Sequence, residues 1–286
     1  MNEQATPRRD VEPDLTGRVA LVTGAGRGIG RAIALGLAAH GAEVALVARG
    51  SAGISAVRDA IEAEGGRALA IPADVSVPAE VERVADRLSP KEPHILVNAA
   101  GTFGPMAPLV DTDPEEWMQT VRVNAFGAYL TARRFAPAMV RAGWGRILNV
   151  SSAAALHTPG PLNSAYGTSK VALNQLTRHL AAELDGTGVT ANVLHPGDVQ
   201  TDMFEAISAQ TTRLGDAADG NYGPWVEWMR RTGGDDPAKA VDLVLRVVSD
   251  SRGTPNGEFL WIDDPLQPAV PSWDVATRPD PTWVEH

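Results

Sequence analysis

A chain of 286 residues with a formal charge of −10 and no cysteine excludes several classes at once. The negative balance argues against nucleic acid or an anionic membrane as the main partner. The absence of thiols excludes disulfides and thiolate metal sites, in keeping with a reducing, cytoplasmic setting, and no apolar run reaches the roughly 18 residues of a membrane span.

The opening stretch MNEQATPRRDVEPDLTG (1–17) is charged, punctuated by proline and without an apolar segment, which predicts a disordered arm rather than a signal peptide. From Arg18 onward, short β-rich runs alternate with longer helical ones. RVALVTG (18–24) is a buried-strand run; in the following 28–41, Ile29, Ile33 and Leu37 recur at helical spacing and Gly41 closes the helix. Strands are expected at 43–48, 67–74, 94–101, 145–152, 189–197 and 257–263. Helices are expected from the second strand to about Glu64, then at 78–88, 114–142, 162–184 and 237–250. The long 114–142 region is expected in two pieces because Pro137 interrupts it. Strands that are apolar nearly throughout, each followed by a helix, indicate an α/β protein with a parallel sheet covered on both faces. No repeat or linker-like stretch divides 18–263, so one domain is expected, and 199–236 is too short for a core of its own.

VTGAGRGIG stands where the first strand becomes a helix. Glycines there let the backbone turn tightly and approach a pyrophosphate, while free N–H groups at the helix start hold negative charge. G-x-G-x-x-G does not fit, because Ile29 or Arg31 falls where its last glycine belongs, and no G-K-[ST] follows. The pattern that fits is T-G-x-x-x-G-x-G, through Thr23, Gly24, Gly28 and Gly30. The second strand ends in Ala48 and Arg49 where an acid would read a ribose 2′-hydroxyl. A guanidinium pairs with a 2′-phosphate instead, and Arg27 in the glycine turn can reach the same group, so NADP(H) is expected in preference to NAD(H).

NSAYGTSK (163–170) sets Tyr166 four residues before Lys170 in a chain with only three of each type. On a helix the two share a face, with Leu173 and Leu180 close to the same direction. A phenol is a poor proton-transfer group at neutral pH unless its anion is stabilised, and a neighbouring ammonium does so by Coulomb attraction. Ser152, at the end of the fifth strand, is a hydroxyl suited to a carbonyl oxygen; Asn124 lies in the long helical region as a kink or a polar relay.

In these elements, taken in order, the sequence resembles the short-chain dehydrogenase/reductase family over about 18–263, in its NADP(H)-preferring form and similar to 3-oxoacyl-[acyl-carrier-protein] reductases. The resemblance implies a three-layer, doubly wound Rossmann-type fold with seven parallel strands, commonly assembled as a homotetramer or homodimer. It implies Tyr166 as general acid/base, Ser152 as holder of the carbonyl oxygen, Lys170 on the nicotinamide ribose and lowering the tyrosine pKa, and Asn124 in a proton relay. Cofactor contacts would come from the glycine turn (Thr23, Gly24, Arg27, Gly28, Ile29, Gly30), from Arg49, from Asp74 and Val75 at the adenine, from Asn98 and Gly101, and from Pro196, Gly197, Val199 and Thr201 at the nicotinamide end.

Some positions depart from the family pattern. The fourth strand ends NAAG, with Ala99 in place of a second asparagine, and His94 stands where an acid is common. Ser152 precedes Tyr166 by one residue more than usual, which leaves Ser151 as an alternative. His195 reads as a packing residue, and His157 as a residue of the substrate-facing loop. The resemblance makes 199–236 a substrate lid, whose Met203, Phe204, Ile207, Tyr222, Trp225, Trp228 and Met229 suit an apolar or cyclic carbonyl or alcohol, or else pack on the lid's own body or a neighbouring subunit. The proline-rich tail 264–286, with Trp273 and Trp283, is expected to dock at a subunit boundary or at the active-site mouth. Rival readings are an NAD(H)-dependent hydroxysteroid-like or polyol dehydrogenase and a non-catalytic dinucleotide-binding regulator.

Overall fold

The computed structural model describes residues 13–249 and 254–263. Most of the expected N-terminal arm and the whole 264–286 tail lie outside the described residues.

Seven strands form one sheet: β1 (Val19–Thr23), β2 (Glu43–Ala48), β3 (Arg67–Pro72), β4 (Ile95–Asn98), β5 (Gly145–Val150), β6 (Val189–His195) and β7 (Phe259–Trp261). Their order is β3-β2-β1-β4-β5-β6-β7 and every pairing is parallel. The direction of winding reverses between β1 and β4, which opens a crevice at the carboxyl ends of those strands. The helices are α1 (Gly28–Ala39), α2 (Ser51–Ala63), α3 (Pro78–Leu88), α4 (Pro114–Val121), α5 (Gly127–Ala142), α6 (Ser164–Glu183), α7 (Asp202–Leu214), α8 (Asp216–Asp219), α9 (Gly223–Thr232) and α10 (Pro237–Ser249). None of the described helices is long and apolar enough to cross a membrane.

Two apolar layers hold the sheet. Ile33 and Leu37 of α1, Ile54 of α2 and Val244 of α10 cover one face; Val81 of α3, Phe135 and Met139 of α5 and Leu184 cover the other. Burial of each such side chain stabilises the fold by about 1.5–3 kcal/mol. Gly36 lets α10 lie close on α1, since a Cβ there would run into Val241. His94, at the foot of β4, accepts the Val19 N–H through Nδ1 at 3.1 Å, so a ring nitrogen serves where the family pattern has an acid.

The expected break at Pro137 does not occur. Pro137 lies inside α5, on its exposed side, where water can satisfy the carbonyl that loses its donor. The helical region changes instead at Arg122–Phe126, one π-helical turn joining α4 to α5 with Asn124 at its centre. Asp113 caps α4 by accepting the N–H groups of Glu115 and Glu116, both at 3.0 Å.

Candidate active site

The turn between β1 and α1 is closed by backbone. Gly24 (φ +65°) and Gly28 (φ +55°) are left-handed. A Cβ on Gly24 would lie 2.7 Å from the Ala99 carbonyl oxygen, and one on Gly30 would collide with the Gly24 carbonyl. Thr23 ties in the β4 loop by accepting the Ala100 N–H at 3.1 Å. α1 begins with no side-chain cap and no acid in its first turn, so its leading N–H groups and positive end are open to an anion. Ile29 packs its side chain into the first apolar layer and offers only backbone to that site. From the opposite side, the Thr201 methyl would be 3.2 Å from a Cβ on Gly28. This cradle fits the pyrophosphate of a dinucleotide.

Arg49 is exposed at the end of β2 and has no ion pair among the described residues. Arg27 pairs with Asp202 at 2.6 Å, both side chains mostly in solvent. Asp74 accepts the N–H and hydroxyl of Ser76 at 2.9 and 2.6 Å, while Val75 is buried against Gly127.

The second cluster gathers around α6. The Ser152 hydroxyl stands beside that of Tyr166, near enough to favour its ionised form. Ser151 instead donates to Asn174 Oδ1 at 2.6 Å and is buried. Lys170 Nζ donates to the Val150 carbonyl at 2.8 Å and lies 5.6 Å from the Tyr166 ring centroid. Gly101 borders the same space, since a Cβ there would be 3.7 Å from Lys170 Nζ and 3.4 Å from Asn124 Oδ1. The π-turn aims Asn124 inward. Its Nδ2 donates to the Thr102 carbonyl at 2.8 Å and to Ser169 Oγ at 2.9 Å, and its Oδ1 accepts the Thr102 N–H at 2.8 Å. Ser169 passes this on to the Tyr166 carbonyl at 2.7 Å. Asn124 thus pins the β4 loop to the helix that carries the tyrosine, and a π-turn at such a point is a recurring feature of functional sites.

The electrostatics differ from the sequence expectation. Lys170 was expected to make Tyr166 acidic. Burial instead pushes the phenol above its ordinary value; the Ser152 hydroxyl draws it back, and the charge of Asp198 pushes it up again. The reason is local. Tyr166 keeps part of its surface open, but its hydroxyl lies deep, with Phe103 at 4.9 Å between ring centroids and Tyr222 and Trp225 in the same apolar cluster. The ammonium is directed at Val150 and is itself lowered to about 8 by burial. His195 is lowered to about 4, chiefly by burial, and packs edge-on against Trp261 at 5.2 Å.

Other expected contacts are distributed unevenly. Asn98 turns its side chain into the sheet's interior, donating to Asn149 Oδ1 at 2.8 Å and accepting from Thr131 at 2.7 Å, so only its backbone faces the crevice. Pro196 is buried, Gly197 (φ +81°) leaves room for Asp235, and Val199 bridges Gly234. Thr201 caps α7 by accepting the Phe204 N–H at 3.4 Å. In the 199–236 segment, Met203, Ile207, Tyr222 and Trp225 gather with Phe103 and Leu162 around Tyr166, whereas Phe204, Trp228 and Met229 pack within the segment. Sequence reasoning missed Phe103, Ser169, Asp198 and Asp235. Asp198 alone left a signal, an acid directly after Pro-Gly at a strand end.

The family profile described as short chain dehydrogenase matches residues 18–212. The chain is 43% identical over 202 residues to a short-chain type dehydrogenase/reductase of Picea abies, covering 67% of this chain and 74% of that protein. It is 37% identical over 246 residues to an NADPH-dependent aldehyde reductase-like chloroplastic protein of Arabidopsis thaliana, covering 74% and 91% of the two chains. Among solved structures, L-sorbose reductase from Gluconobacter frateurii, complexed with NADPH and L-sorbose, superposes with a TM-score of 0.76 at 25% identity over 88% of this chain and 97% of that one.

Proposed function

Because the chain belongs to the short-chain dehydrogenase family, we propose that it is an NADP(H)-dependent carbonyl reductase or alcohol dehydrogenase with Tyr166 as its proton-transfer residue. The observation that carries this reading is the juxtaposition of Ser152 and Tyr166, with Lys170 one helical turn on and 5.6 Å from the Tyr166 ring centroid, at the carboxyl edge of the sheet. A bound nicotinamide supplies or accepts the hydride. Ser152 and Tyr166 hold the substrate oxygen with their hydroxyls, and Tyr166 gives up its phenolic proton as negative charge develops there. A phenol that burial keeps protonated suits the reductive direction, in which it must donate. Lys170 offsets the phenolate that forms, and Asn124 keeps the helix and the β4 loop in register. The regulator reading is opposed by the presence of all four groups in one place.

Exposed Arg49 supports NADP(H) over NAD(H), as do NADPH in the sorbose reductase structure and in the name of the Arabidopsis relative. Arg49→Asp is expected to weaken NADPH relative to NADH by about tenfold or more, since a charge-assisted phosphate contact is lost and an acid is added. Fluorescence titration with both cofactors checks this, and an unchanged ratio would remove Arg49 from the reading.

The substrate is read as an apolar or cyclic carbonyl or alcohol, from the wall of Phe103, Met203, Ile207, Tyr222 and Trp225, with α7–α9 as the lid. A homodimer or homotetramer is supported by apolar surface around the π-turn: Phe126 stacks on Tyr129 (5.7 Å, 23°), and Met118 and Val171 are exposed nearby in sequence or on α6. The pair Phe126→Asp with Tyr129→Asp is expected to lower the mass measured by light scattering. A wild-type monomer, or an unchanged assembly in the variant, rules that face out.

A further inference from the structure

The apolar wall around Tyr166 has one polar interruption. Asp198 follows Gly197 at the end of β6, and its backbone is fixed on both sides. Its N–H donates to Asp235 Oδ2 at 2.9 Å, and its carbonyl accepts the Asp235 N–H at 2.7 Å. A Cβ on Gly197 would lie 2.8 Å from that same Oδ2, so the loop is built around Asp235 and the Asp198 side chain has little freedom in where it points. The Asp198 carboxyl lies by the Trp225 indole, which packs in the apolar cluster around Tyr166, and its charge is felt at Tyr166. Asp235 takes up two other donors, the Asp198 N–H and Lys239 Nζ, the latter at 3.1 Å.

His157 reaches the same region from the loop after β5. Its ring stacks on Trp261 at 6.2 Å and 20°, and Trp261 also meets His195 edge-on at 5.2 Å, three residues before Asp198. His157 Nε2 is buried without a hydrogen-bond partner among the described residues. A buried polar atom of this kind is costly unless something meets it, and one indole N–H leaves a carboxylate with most of its accepting capacity. Neither group has a part in moving the proton or the hydride.

We propose that Asp198 and His157 form a polar subsite that recognises a hydroxyl group on the substrate close to the reacting carbonyl. The inference rests on the reductase reading and narrows it, from an apolar or cyclic carbonyl to an apolar-bodied hydroxyketone. The carboxylate accepts the substrate hydroxyl's proton in a hydrogen bond, and His157 Nε2 partners its oxygen or a second polar atom. Asp198 and His157 are specificity-determining residues in this scheme. A site built to bind a hydroxyl discriminates strongly against the analogue that lacks it, because its own polar groups are then left unmet.

The test uses the full-length protein with NADPH and two matched pairs, cyclohexanone with 2-hydroxycyclohexanone and acetophenone with 2-hydroxyacetophenone. Wild type is expected to favour the hydroxylated member by about tenfold or more in kcat/KM. Asp198→Leu should bring that ratio close to one, and His157→Phe should lower it part-way. Asp198→Asn keeps an acceptor without the charge, and should keep part of the preference, which covers the case in which the leucine variant does not fold. A ratio unchanged in Asp198→Leu and Asp198→Asn, with both ketones slowed alike, overturns the subsite and leaves Asp198 as a support for the lid. A wild-type protein that reduces both members of each pair equally well overturns the inference and leaves the reductase reading standing. One that binds NADPH and reduces none of the four overturns both.

Discussion

Tyr166→Phe is expected to reduce kcat by about 10²–10⁴-fold while leaving the NADPH dissociation constant within about threefold, the range set by loss of a positioned proton donor. The ring remains, so its packing against Phe103 and the apolar wall survives; only the hydroxyl that faces Ser152 is removed. Ser152 keeps its tie to the Ala154 N–H at 3.2 Å, so its hydroxyl stays close to its place. Steady-state kinetics on any reduced ketone, beside a cofactor titration, separates the two quantities. Turnover within tenfold of wild type would assign the proton to another group and remove the basis of the mechanism.

Lys170→Met is expected to lose about 10²-fold in kcat, comparable to removal of one preorganised donor from a developing anion, yet to leave the fold as stable or more so at neutral pH. The sign follows from burial. Lys170 is lowered from 10.5 to about 8, so the folded state binds fewer protons than the unfolded chain between those values. The cost of holding the ammonium is present in full below about pH 8, and stability rises as pH climbs from about 8 to 10.5. That window is worth about 3 kcal/mol, which the methionine variant does not gain. Urea unfolding at pH 7 and at pH 10 measures it: wild type should gain on the variant with rising pH. Parallel behaviour of the two proteins would mean that the ammonium is not desolvated, and full activity in the variant would remove it from the mechanism.

The sheet and its helices were legible wherever local chemistry and packing agree. Residues 78–88 form a helix with the expected bounds because Pro78 starts it and an apolar stripe runs between charged faces. The strands are shorter than their apolar runs, since pairing stops where the crevice opens: NAAG continues the pattern after Asn98, but no neighbour pairs with it. Pro137 was a misleading signal and the π-turn gave none. Proline's penalty depends on which side of the helix it occupies, and the π-turn is held by Asn124 bonding to Thr102 and Ser169, contacts between segments distant in sequence. Among the candidate groups, Tyr166, Lys170 and Ser152 are fixed by strand end or helical spacing, and Asn124 joins them through the π-turn. The direction of the phenol's pKa was not legible, because it depends on how deeply Phe103, Tyr222 and Trp225 cover it. Asp198 was overlooked because an isolated acid in a loop reads as solvated surface until its carboxyl is found under an indole.

The bridge between Val199 and Gly234 brings the two ends of the α7–α9 segment side by side. What lies between them is an insert on a narrow neck, so its length and composition can change while the strands before and after it stay in place, and lengthening such an excursion adds only slowly to the cost of closing it. In the proposed reading the Ser152 and Tyr166 hydroxyls ride on the scaffold, while Met203, Ile207, Tyr222 and Trp225 ride on the insert and can vary apart from them.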